Sequence, residues 1–209
     1  SPRRRWWQRS RALANVVSVP PIGSVRALLA HRDNRRHRHD IERLYRMAIR
    51  SSKHRIVIAN AYFFPGYRLL RALRSAARRG VKVQLILQGN PDMPWARVIS
   101  HTLYPHLAKA GVEILEFCER PIHAKVAVID DWATVGSSNL DPLSLALNLE
   151  ANVCIDNAAF AEQLHQRLEQ LMANSCQRLD SRKLRRPSLP GLFLGFIAFH
   201  FTRHFPTLA

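Results

Sequence analysis

Acidic residues are scarce in this chain: 15 Asp and Glu stand against 32 Lys and Arg, a formal net charge of +17. The deficit is uneven. Residues 1–55 carry 15 basic side chains against 3 acids, residues 176–209 carry 6 against 1, and residues 56–175 are balanced at 11 against 11. The middle therefore reads as a globular domain, and a hydrophobic content of 47% argues against a disordered chain. Basic flanks favour anionic partners: nucleic acid, acidic protein or anionic lipid headgroups. Cysteine is sparse as well. Cys118, Cys154 and Cys176 are odd in number and lack C-x-x-C spacing, which argues against a zinc site and for reduced, mostly buried thiols in a cytosolic setting. Apolar runs long enough to cross a bilayer are missing too: the eleven residues 189–199 fall short of the roughly 20 that a span needs. No apolar core of a signal peptide follows Ser1-Pro2-Arg3-Arg4-Arg5-Trp6-Trp7, and this start reads like the interior of a longer chain. No internal repeat is visible.

What is present has a clear rhythm. Residues 1–21 form a basic, Trp-bearing linker that ends at Pro20-Pro21, and residues 25–30 suit a short strand. After a polar loop over 31–39, Ile41, Leu44, Tyr45, Ala48 and Ile49 recur at helical spacing, with Asp40 placed as N-cap. Strands are expected at 56–59, 81–87 and 112–117. Helices fall between them at 67–79 and 95–110, stopped by Gly80 and Gly111. This alternation predicts an α/β fold, a mixed and mostly parallel sheet flanked by helices. Two short strands at 123–129 and 132–135 then make a hairpin through Asp130-Asp131, followed by a strand at 151–155 and a helix at about 158–172. The domain is bounded at 22–175. Beyond it, Arg182-Lys183-Leu184-Arg185-Arg186 beside an aromatic-rich apolar segment suits an element lying in a headgroup layer.

Within the hairpin region lies His123-Ala124-Lys125, then Asp130, then Gly136-Ser137-Ser138-Asn139. Alternate strand residues share a face, so His123 and Lys125 point the same way about 7 Å apart, with Val126 and Val128 turned to the core. A His and a Lys side by side make an electropositive, partly dry surface suited to phosphate. The following hydroxyl, amide and backbone turn suit phosphate oxygens. A lone His-x-Lys is commonly surface decoration; the joint spacing with Asp130 and the glycine turn is what singles this one out.

That spacing resembles the signature of the phospholipase D superfamily. The resemblance extends to Ala59-Asn60-Ala61-Tyr62-Phe63-Phe64-Pro65-Gly66-Tyr67, to Gln88-Gly89-Asn90-Pro91-Asp92-Met93-Pro94, and to Gly136 through Ser144 with Asn148-Leu149-Glu150-Ala151-Asn152. Over about residues 22–205 the chain looks like the C-terminal half of bacterial cardiolipin synthases of the B type. The resemblance implies a phospholipase D-like fold and phosphatidyl transfer through a phosphohistidine, with two H-x-K-D motifs, one per half, meeting in one site. His123, Lys125 and Asp130 form the motif set. Asp130, at the far end of the strand, is expected to organise the turn. Lys125, Ser137 and Asn139 would stabilise charge on phosphorus, and Glu150 matches an acid that orients the histidine. No metal or cofactor is implied. The implied partners are anionic phospholipids such as phosphatidylglycerol, a membrane surface (the inner membrane, peripherally, on its cytoplasmic side), and an N-terminal half or a homodimer mate; nucleic acid is disfavoured. Two departures stand out. Five residues separate Asp130 from Gly136 where the family usually has six, so register after the turn is in question. A second H-x-K with its glycine turn does not occur, which keeps open a single-motif homodimeric phosphodiesterase or nuclease and an inactive lipid-binding fragment.

Overall fold

The computed structural model describes residues 23–91, 94–141, 144–145 and 147–180. The basic linker at 1–21 and most of the tail expected from 176 onward lie outside these residues. The described chain runs β1 (Arg26–Arg32), α1 (Asp40–Ser51), β2 (Arg55–Asn60), α2 (Tyr67–Arg78), β3 (Lys82–Gln88), α3 (Pro94–Ala108), β4 (Val112–Phe117), β5 (Lys125–Ile129), β6 (Trp132–Gly136), β7 (Glu150–Asp156), α4 (Ala158–Ser175) and β8 (Cys176–Arg178). No helix among them is long and apolar enough to cross a membrane.

The strands form one eight-stranded mixed sheet in the order β1-β7-β6-β5-β2-β3-β4-β8. The expected parallel majority does not hold. Only β2–β3 and β3–β4 pair in parallel, through the helical crossovers α2 and α3, and the other pairings are antiparallel. The physical reason is the absence of a helical crossover after β4: the chain returns by a loop and a tight hairpin, and hairpins impose antiparallel pairing. Residues 176–178, assigned by composition to the tail, pair with β4 as strand β8, and the Leu179 N–H donates to the Ile114 carbonyl at 3.0 Å.

Strand alternation splits the core in two. Ile56, Ile58, Val83, Leu85, Ala127, Ile129 and Cys154 face the layer of α1, α2 and α3, whose Tyr45, Ile49, Leu69, Leu73, Tyr104 and Leu107 are buried against them. Val57, Ala59, Ile86, Val128 and Ala133 face α4, which contributes Ala161 and Leu168. Sheet strands covered on both faces read as continuous apolar runs, as β2 and β3 do. Gly80 and Gly111 stop α2 and α3 with positive φ, as the sequence suggests. Helix α1 departs slightly from expectation. His39 holds the cap position without a side-chain bond, and Asp40 is the first helical residue, its carboxylate 2.7 Å from His37 Nδ1. The thiols of Cys154 and Cys176 are pushed up to about 11 chiefly by burial, which makes both poor nucleophiles near neutral pH.

Candidate active site

The inner face of the sheet changes character at one level. Below it lie Ile58, Ala127, Cys154 and Ala30; above it, at the same end of the same face, lie Asn60, Lys125, Asn152, Glu150 and Arg32. The ladder fixes this arrangement, with Asn60 opposite Lys125, Ala30 opposite Asn152 and Arg32 opposite Glu150. All five polar residues are buried. The His–Lys side of β5 is therefore not an open surface, because Ala127 and Ile129 on that side pack under the helices. The site begins where apolar packing stops, beyond the carboxyl ends of β2 and β3.

The hairpin register is resolved. Ile129 pairs with Trp132 and Val126 with Val135, so Asp130-Asp131 is a two-residue turn and Lys125 reaches the level of Gly136. Asp130 takes a left-handed conformation, φ 51°, a geometry that Asp tolerates better than most residues. The short spacing is absorbed at the turn, and the residues after it keep their faces.

His123 is exposed, just ahead of β5, while Lys125 is buried. Lys125 Nζ lies 3.3 Å from both imidazole nitrogens and 3.3 Å from the His123 carbonyl oxygen. Burial holds the Lys125 ammonium below the ordinary lysine range, against the opposing attraction of Glu150 and Asp141. A partly desolvated cation beside an exposed imidazole suits an anion that arrives from solvent and replaces lost water. This shift has a measurable sign. As pH rises, Lys125 loses its proton before a free lysine would, so a reaction that relies on its ammonium is expected to fall off at alkaline pH below 10.5. Over the same window the unfolded state binds the proton more tightly, so Lys125 makes folding stability rise as activity falls. Lys125→Met is expected to remove both trends, which a pH–rate profile and a denaturation midpoint series would show.

Ser137 is pinned from three sides. Its N–H donates to the Ala151 carbonyl at 3.0 Å, its Oγ accepts from the Ala151 N–H at 3.1 Å, and its hydroxyl donates to the Glu150 carboxylate. Glu150 thus enters the site through Ser137. Among the described residues it makes no hydrogen bond to His123; β6 lies between its strand and β5. Gly136 lies so close to β7 that an added Cβ would overlap the Ala151 carbonyl and the Asn152 side chain. Gly136→Ala is expected to cost about 1–3 kcal/mol, the usual range for overpacking, and to push Ser137 out of place; a denaturant midpoint checks it.

Asp130 sits at the other end of β5, about 17 Å along the strand from Lys125 at the usual rise per residue. Its carboxylate accepts from three backbone N–H groups, those of Lys53 (2.9 Å), His54 (3.0 Å) and Arg55 (3.0 Å). It ties the α1–β2 connection to the hairpin, as its position suggested, and does not join His123.

Four contributors escaped sequence reading. Asn60 Oδ1 accepts from the Leu140 N–H at 3.0 Å, and Gln88 Oε1 accepts from the Ile122 N–H beside His123. Asn152 Oδ1 accepts from the Ser138 N–H at 3.3 Å, and Arg32 donates to the Asn148 carbonyl and to Asn34 Oδ1. The first two carried a signal: each is a polar amide ending an otherwise apolar strand. Among the described residues, His31, Asp33 and His37 form the one group that could hold a metal ion, their ligand atoms within 4.8 Å of one another. Arg35, Arg36 and Arg38 crowd the same loop, which opposes a cation, and the group lies outside the His123 cluster.

Residues 45–172 match the family model described as cardiolipin synthase, PLD-like domain. The whole chain is 51% identical to "Cardiolipin synthase B" of Salmonella typhi, of which it covers 50%. The chain thus spans about half the length of the curated relatives it matches most strongly. Among solved structures, the phospholipase D family member Nuc from Salmonella typhimurium superposes with a TM-score of 0.63 at 23% identity, covering 75% of this chain and 99% of that one. Phosphatidylserine synthase from Haemophilus influenzae gives 0.63 at 13% identity, covering 96% of this chain and 51% of that one. At these identities the two structures speak to the fold alone.

Proposed function

The chain belongs to the family of cardiolipin synthase, PLD-like domains, and on that premise we propose that it supplies one half of a phosphatidyltransferase site that makes cardiolipin. The observation that carries the reading is the partly dry Lys125 ammonium 3.3 Å from the His123 ring, ringed by the Ser137–Glu150 pair and the glycine turn. In the first step one imidazole attacks the phosphorus of a phospholipid. The N–P bond forms, the P–O bond to glycerol breaks, and a protonated imidazole gives its proton to the leaving oxygen. In the second step the acceptor alcohol returns a proton to that imidazole and attacks phosphorus, which breaks the N–P bond and regenerates both rings. His123 supplies one of the two imidazoles, and the other comes from a second H-x-K motif. Lys125 and Asn139 stabilise the charge on the non-bridging oxygens.

A second half is supported by a surface as well as by the single motif. Leu29, Val153 and Val135 form one cross-strand row on the α4 side, 60%, 40% and 39% exposed. Helix α4 lies chiefly over β5 and β6, and the three side chains of this row stay part-exposed beside Gly136 and Ser137. Phosphatidylglycerol is proposed as donor and acceptor, at the cytoplasmic surface of the inner membrane. Exposed Arg68, Arg71 and Arg78 on α2, a helix without an acidic residue, suit anionic headgroups.

The reading is tested by incubating this chain, together with a second H-x-K-bearing half, with phosphatidylglycerol vesicles, scoring cardiolipin by mass, and offering plasmid DNA in parallel. Cardiolipin formation is expected; DNA cleavage without a lipid product would replace this reading with the nuclease one.

A further inference from the structure

We propose that Asn60 is a positioning residue that sets which end of the Asn139 carboxamide meets the substrate phosphate. The inference rests on the phosphatidyl-transfer reading and assigns a residue that the motif does not contain.

The side chain of Asn60 is fully buried at the last position of β2, in register with Lys125. Its Oδ1 accepts from the Leu140 N–H at 3.0 Å. The same segment is clamped again by the Phe64 N–H, which donates to the Leu140 carbonyl at 2.8 Å, so the glycine turn is docked on the end of β2. One part of Asn60 is left over. Its Nδ2 is buried and has no hydrogen-bond partner among the described residues. Asn139, the residue just before Leu140, has the complementary defect: its Oδ1 is buried and lacks a donor. A buried donor and a buried acceptor without partners each carry the full desolvation cost of an unmade hydrogen bond. A side-chain rotation at Asn139 that brought its Oδ1 to Asn60 Nδ2 would satisfy both groups.

The chemical consequence is directional. An Asn carboxamide offers two N–H donors from one end and only lone pairs from the other. With its Oδ1 held by Asn60, Asn139 presents the NH₂ group, which an anionic phosphate oxygen accepts. With the carboxamide reversed, lone pairs would face the same oxygen and repel it. Asn60 acts through Asn139 and touches no reacting atom itself.

The test is a double-variant cycle in the complete protein as the cell makes it. Asn60→Asp keeps the acceptor for the Leu140 N–H and removes the donor; Asn60→Thr offers a hydroxyl that both accepts and donates. Loss of one such donor to developing charge typically costs about 10²–10³ in kcat, so Asn139→Ala is expected to lose about 10²-fold. Asn60→Asp is expected to lose about tenfold in kcat per folded molecule, and the uncharged Asn60→Thr to recover most of it. The double variant Asn60→Asp/Asn139→Ala is expected to be no slower than Asn139→Ala alone, since residues acting as a unit are non-additive. Additive losses or no recovery with threonine would overturn the assignment. Calorimetric binding of inorganic phosphate to the same variants separates this assignment from the proposed function. A wild-type protein that shows the non-additive pattern with phosphate yet makes no cardiolipin sustains Asn60 and overturns phosphatidyl transfer; a wild-type protein that binds no phosphate overturns the assignment of Asn60.

Discussion

His123→Ala is expected to lower cardiolipin formation by about 10⁴-fold or more, the loss typical when one member of a nucleophile–base unit is removed, and to leave the thermal midpoint unchanged. The second half of that statement comes from the surroundings of the ring. His123 is exposed and precedes β5, and the imidazole packs into neither half of the core. Its side chain meets Lys125 Nζ, which keeps a second acceptor in the His123 carbonyl at 3.3 Å after the ring is gone. Truncation therefore opens no cavity and leaves Lys125 bonded, and neither mechanism of large destabilisation applies. Activity by product mass and unfolding by circular dichroism check the two halves separately. A variant that unfolds early would place the ring in the structure of the domain, and a variant that keeps full activity would remove His123 from the chemistry.

The opposite pattern is expected for Asp130→Ala, with stability lost and chemistry retained per folded molecule. The buried carboxylate accepts three backbone N–H groups from consecutive residues, Lys53, His54 and Arg55. These donors open β2, and the hairpin turn holds them from across the sheet. Without the carboxylate they lack their partner, and each unsatisfied donor costs about 1–3 kcal/mol. A loss of about 3 kcal/mol or more follows, enough to lower the midpoint of a small domain well outside error. Asp130→Asn should fall between, because the remaining amide oxygen can keep the His54 and Arg55 contacts while the new NH₂ faces the Lys53 N–H. The decisive quantity is activity normalised to folded protein. If that falls by orders of magnitude while the midpoint holds, Asp130 belongs to the chemistry after all.

These two residues also show how far the sequence could be read. The H-x-K spacing pointed to this cluster, and the distance from Lys125 to Asp130 along one strand matches their placement at opposite ends of β5. Strand-to-strand neighbours were harder. The resemblance sets Glu150 to orient the motif histidine, and within the sheet β6 lies between their strands while the carboxylate accepts from the Ser137 hydroxyl. Pairing order is a property of the whole sheet, and no local spacing encodes it. The same limit explains the overestimate of parallel pairing: β2, α2, β3, α3 and β4 announced a parallel core through their alternation, while the return from β4 to β5 carried no pattern of its own. Arg32 was hidden differently, because residues 31 and 32 read as part of a polar loop but extend β1, where Arg32 pairs with Glu150 across the ladder. Asn60 and Gln88 were legible in principle, as amides closing the runs Ile56-Val57-Ile58-Ala59 and Leu85-Ile86-Leu87, whose burial makes a terminal polar group informative.

The apolar row of Leu29, Val153 and Val135 and the one H-x-K motif in the sequence together fit the proposed domain that works with a second H-x-K-bearing half. The direct measurement is cardiolipin mass formed from phosphatidylglycerol vesicles by this chain alone, by a separately produced second half alone, and by the two mixed. Product is expected from the mixture only, abolished when the mixture contains His123→Ala. Cardiolipin from this chain alone, undiminished by His123→Ala, would contradict a shared site.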